Sequence, residues 1–106
     1  MIKYLFTAIL VCAAILAKAQ STPPKAVEDL IKKHGCNTCH HAEKKIIGPA
    51  WKLVAAKGYS KKQFAQLVHE TKPENWPDYP PMAPMPNVPK SDLYKIAEWV
   101  NTLKKS

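Results

Sequence analysis

The sequence contains no arginine: all 16 basic residues are lysine, against 8 acidic ones. Base edges and phosphates are read best by the bidentate guanidinium fork, so the formal charge of +8 does not point to nucleic acid. Long apolar runs are missing too. The longest, from Leu5 to Leu16, is about twelve residues, whereas a bilayer span needs roughly twenty. Cysteine is scarce, with 3 in the chain. Two of them, Cys36 and Cys39, share one short motif, which excludes a disulfide framework across a fold. No stretch alternates apolar and polar residues with period two, so strands are not expected.

What is present begins with Lys3, the apolar run and Ala17-Lys18-Ala19. In that order they read as a positive n-region, an h-region and a cleavage site, hence a signal peptide over residues 1–19. Cys12 follows Val11 rather than a small residue, so lipid attachment is not expected and Cys12 leaves with the leader. Cleavage takes 19 of 106 residues and leaves 87. A domain of that size is marginal without a metal, a cofactor or disulfides, and a covalent cofactor fits best. Without Lys3 and Lys18 the net charge falls from +8 to +6, suited to steering an acidic protein partner.

After a Ser/Thr/Pro linker at 20–24, the domain runs over 25–106. Val27, Leu30, Ile31 and His34 recur at helical spacing after Pro24, and Gly35 ends that helix. Ala50–Ala56 and Lys61–Glu70 are further helices, the second capped by Ser60, with Phe64, Leu67 and Val68 on one face. A last helix, capped by Ser91, reaches about Leu103 on a stripe of Leu93, Ile96, Ala97, Val100 and Leu103. Between them, Lys72 to Pro89 holds most of the 10 prolines. Prolines at that density exclude helix and central strand, and a loop of such length implies a function. The class is all-α.

Cys36-Asn37-Thr38-Cys39-His40 has the form C-x-x-C-H, the attachment signature of haem c. Two intervening residues set both sulfurs along one porphyrin edge, and the adjacent imidazole then reaches the iron. A thioredoxin-like pair would need a preceding strand and a βαβ setting, which are missing. A zinc site of Cys36, Cys39, His40 and His41 would crowd four ligands together and lacks the usual distant second pair. Export agrees with haem, since such attachment occurs outside the cytoplasm.

With these residues in view, the mature sequence resembles the small monohaem class I bacterial cytochromes c over almost its whole length. The landmarks fall in order: a helix closed by Gly35 before the motif; Gly48-Pro49-Ala50-Trp51; the loop from Pro80 to Asn87; and a last helix with Ala97-Glu98-Trp99-Val100. The resemblance implies a class I cytochrome c fold, four or so helices wrapped around one haem c attached through Cys36 and Cys39. It implies that the Pro49 carbonyl accepts from the proximal imidazole of His40, that the last helix crosses the first, and that Trp76 donates to a haem propionate. Family members keep Met-x-Pro, with Trp upstream and the last helix downstream. That favours Met82 as the distal iron ligand, with Met85 as the alternative. Ligation by a second histidine is the other option; His34, His41 and His69 otherwise read as structural or surface residues. Trp51, Phe64, Leu67, Ile96 and Trp99 read as haem-pocket or core walls.

Two firm axial ligands leave no open iron position. The expected function is therefore a monomeric, periplasmic electron carrier and not an enzyme, with no membrane span once the leader is removed. Lys44, Lys45, Lys52 and Lys57 would ring the motif side and steer redox partners with acidic docking surfaces. A gas sensor or a peroxidase-like enzyme would require a labile sixth position; a structural haem module would copurify with a larger complex.

Overall fold

The computed structural model describes residues 21–105; the expected signal peptide lies outside them. Four α-helices and three short 3-10 turns follow one another among the described residues, with no strand and one isolated antiparallel bridge, His40 to Lys45. Helix α1 is Lys25–Lys33, entered from Pro24 at φ −55° and burying Val27 and Ile31. Proline's fixed φ suits that entry. Gly35 then takes φ 71°, a left-handed conformation that costs glycine little. The chain turns there into the 3-10 turn Cys36–Thr38.

Helix α2 is Trp51–Ala56 and α3 is Lys61–His69. The start of α3 is fixed by a capping box. Ser60 Oγ accepts the Gln63 N–H at 3.1 Å, and Gln63 Oε1 accepts the Ser60 N–H at 3.0 Å. Helix α4 is Lys90–Thr102, and here the structure corrects the sequence reading. Ser91 is not the cap. Pro89 occupies that position, with its carbonyl accepting the N–H groups of Asp92 and Leu93 at 3.1 and 3.2 Å. A proline whose φ is already near the helical value starts the ladder without a side-chain cap.

Helix α4 is the element against which α1, α2 and α3 all pack. Its Leu93, Ile96, Ala97, Val100 and the following Leu103 are buried with Val27, Ile31, Val54 and Phe64. Ala55 and Ala97 are fully enclosed, and their small side chains let the helices approach closely. The Trp51 ring meets Trp99 edge-on at 6.4 Å and Phe64 at 6.3 Å, distances typical of favourable aromatic pairs. The proline-rich stretch is tied to α3: Met85 N–H donates to Val68 O at 2.9 Å, and His69 Nε2 donates to Val88 O at 2.7 Å.

His34 does more than complement the end of α1. Its Nε2 lies 2.9 Å from Asp92 Oδ2, with the two side chains 12% and 16% exposed, so the pair bolts the end of α1 to the start of α4. A double-mutant cycle of His34→Ala and Asp92→Ala, read by denaturant unfolding, should give a coupling of about 1–2 kcal/mol. A coupling near zero would show that the two groups merely adjoin.

Candidate functional site

The left-handed turn at Gly35 delivers Cys36, Cys39 and His40 to one wall of a cavity of about 550 Å³. The His40 ring is held from three sides. Its Nδ1 lies 2.8 Å from Pro49 O. Because a carbonyl only accepts, Nδ1 carries the proton and Nε2 keeps its lone pair. Trp51 stacks on the ring at 4.3 Å between centroids and 22° between planes. Gly48 backs it so closely that a Cβ there would stand 2.8 Å from His40 Cε1.

The loop that makes this seat is itself closed by backbone. Gly48 N–H donates to Cys39 O at 2.8 Å, Trp51 N–H to His41 O at 2.8 Å and Lys52 N–H to Ala42 O at 3.0 Å. His41, exposed, accepts the N–H groups of Glu43 and Lys44 on Nδ1 at 3.1 and 3.2 Å. Burial holds the His40 pKa below the ordinary histidine value, with the Pro49 hydrogen bond partly opposing it. The ring is thus neutral and oriented, the state in which imidazole binds a metal. Burial pushes the Cys36 thiol up; a backbone hydrogen bond opposes this and neighbouring Cys39 adds to it.

We expect Gly48→Ala to unseat this ring. With the neighbouring atom part of a clamped imidazole, relief requires a backbone shift, costing about 1–3 kcal/mol. The measurement is the denaturant midpoint of the coloured protein beside its yield. An unchanged midpoint and yield would mean that the ring has room to move.

Cys36, Cys39, His40, Pro49, Trp76, Met82 and Met85 all line the same cavity, though they come from widely separated stretches. Trp51, Phe64, Leu67 and Ile96 form part of its wall, whereas Trp99 lies in the core and off the lining. The indole N–H of Trp99 is buried without a partner among the described residues. His34 reaches the lining; His69 does not. The stacking of Trp51 on His40 was not anticipated, although an aromatic two residues after Pro49 is a usable signal for it.

These residues suit a flat, metal-bearing aromatic ring. The volume falls within the roughly 300–1,000 Å³ of cofactor pockets. The donors comprise an oriented imidazole, two part-buried thiols outside any disulfide, and two thioethers. Among the described residues, no cluster of three or more His, Cys, Asp or Glu side chains converges to hold a bare ion.

Comparison with known proteins points the same way. No protein-family model matches the chain. Cytochrome c-552 of Nitrosomonas europaea is 39% identical over 85 residues, covering 76% of this chain and 81% of that protein. Cytochrome c-551 of Allochromatium vinosum is 34% identical over 88 residues, covering 77% and 93% respectively. The crystal structure of wild-type N. europaea cytochrome c552 superposes with a TM-score of 0.65 at 36% identity, covering 73% of this chain and 99% of that one. Identity at this level over most of both sequences, on one shared helical fold, carries more than the motif alone: the chain belongs to the small monohaem class I cytochromes c, which are electron-transfer proteins and not enzymes.

Proposed function

We propose that this protein is an exported, soluble, periplasmic carrier of single electrons. Haem c is bound covalently through Cys36 and Cys39 and ligated by His40 and Met82. When bound, the haem iron supplies reversible exchange between Fe(II) and Fe(III). The observation that carries the proposal is the His40–Pro49 hydrogen bond at 2.8 Å. It fixes the tautomer, frees Nε2 for iron and makes the imidazole a better donor.

The choice of Met82 rests on how the two methionines are held. Met85 is bound through its backbone to Val68 O and is partly buried against the core, so it already has a packing role. Met82 lines the cavity yet remains 39% exposed and, unlike Met85, is not packed against the core. The prolines around it restrict the backbone, which limits motion when the iron changes charge. A thioether favours the ferrous state, and the apolar walls disfavour the extra ferric charge.

Residues 1–19 are then a leader and 20–24 a linker before the haem domain, which acts as a monomer. Its docking face is built from Ile46 and Ile47, each 49% exposed, the latter also on the cavity lining. Lys45 Nζ lies 4.5 Å from the Tyr79 ring centroid, and Lys57 Nζ lies 4.8 Å from that of Trp76. With exposed Lys44 and Lys52 they supply positive charge on this side, complementary to an acidic redox partner. Lys45→Glu with Lys57→Glu should slow association with such a partner about tenfold at low salt, and the gap should close as salt rises. A salt-independent deficit would contradict steering.

The direct test is the mass of the exported polypeptide after acid-acetone treatment. The expected species is the chain from residue 20 carrying one haem. Haem that extracts into the solvent, or a chain that retains residues 1–19, would contradict the proposal.

A further inference from the structure

Away from the haem motif and His34, the polar lining of the cavity comes from Tyr59 and from one short stretch that supplies Thr71, Lys72, Asn75, Trp76 and Tyr79. Among the described residues, none of these side chains makes a hydrogen bond to protein. Lys72 is the one Lys, Asp or Glu on the lining. It forms no ion pair among the described residues, and neither does Lys57, parked 4.8 Å over the face of Trp76. The acids of the same segment, Glu74 and Asp78, are exposed and off the lining. The cavity thus has one positive, donor-rich corner in an otherwise apolar wall.

A haem brings two propionate carboxylates on one edge, and a carboxylate brought into a pocket needs donors or a counter-charge. We propose that Lys72 is the counter-ion of a haem propionate, with Lys57 acting behind Trp76 as a second positive charge on the same corner. This rests on the haem reading above and extends it to two positioning residues that the motif does not predict. Their charge offsets the propionate negative charge and thereby holds the ferrous state more favourably than an uncompensated carboxylate would. Long lysine stems suit this role, since the ammonium can follow a carboxylate at the rim while its methylenes cover apolar wall.

The test uses the haem-loaded exported protein and its Lys72→Gln, Lys57→Gln, Lys72→Arg and Lys95→Gln variants. Lys95 is exposed on α4 and off the cavity lining, so it controls for a general loss of charge. The readout is the ferrous-to-ferric ratio at one fixed ambient potential, with the red ferric charge-transfer band checking that ligation is intact. Lys72→Gln should shift the ratio about threefold toward ferric, roughly 28 mV at 59 mV per tenfold. Lys57→Gln should move it the same way by less, Lys72→Arg should restore it, and Lys95→Gln should leave it alone. A Lys72→Gln variant that keeps the red band with an unshifted ratio would overturn the pairing alone, as would an equal shift from Lys95→Gln. A colourless wild-type preparation would overturn the haem reading and the pairing with it.

Discussion

His40→Ala and Cys36→Ala should each reduce the yield of folded, coloured protein to background. The reason is volumetric before it is chemical. Without the haem, a cavity of about 550 Å³ opens on the face of α3 and α4 that should be the centre of the core. Truncating a single buried side chain already costs about 2–5 kcal/mol, and this void is several side chains large, although the surrounding loop can collapse into part of it. Whole domains are stable by only about 5–15 kcal/mol. Removing His40 also leaves the Pro49 carbonyl without its donor and Trp51 without its stacked partner. Circular dichroism and denaturant melts of the exported variants check the outcome. A cooperative melt from a haem-free variant would show that the helices close their own core and that the cofactor is an addition to it.

Met82→Ala has the second largest expected effect, and it is electronic. The protein should remain folded and coloured, because Cys36, Cys39 and His40 are untouched. Its reduction potential should fall by a sizeable part of the roughly 0.8 V that axial ligands span. Cyanide should bind the parent slowly and the ferric variant rapidly, since in the variant no thioether guards the sixth position. Met85→Ala should leave both properties near the parent values and cost about 2–5 kcal/mol of stability at most, the price of a truncated packing side chain. If the two variants exchange behaviours, Met85 is the ligand and Met82 the rim residue.

The parts legible in the sequence were those that local chemistry fixes. C-x-x-C-H could be read because two thioethers and one imidazole on a single ring demand that spacing. Helices α1, α3 and α4 were readable because Val27 and Ile31, Phe64, Leu67 and Val68, and Leu93, Ile96 and Val100 recur at three- and four-residue spacing. The start of α4 was misjudged because two signals competed, a serine that could cap and a proline already set for entry. The proline won. Contacts between distant positions were not legible. Nothing in residues 25–34 announces that His34 will meet Asp92, 58 positions on. The polar corner around Lys72 was hidden for the same reason: the proline-rich stretch has no period from which to infer which side chains turn inward. That same lack of period leaves only the Met-x-Pro resemblance to favour Met82 over Met85 at the level of sequence.

The central claim is tested most directly by the long-wavelength absorption of the oxidised, exported protein. An iron held between the imidazole of His40 and a methionine sulfur gives a weak charge-transfer band in the red, and Met82→Ala removes it. A ferric spectrum without that band in the parent protein, or one in which it survives Met82→Ala unchanged, would contradict His40–Met82 ligation.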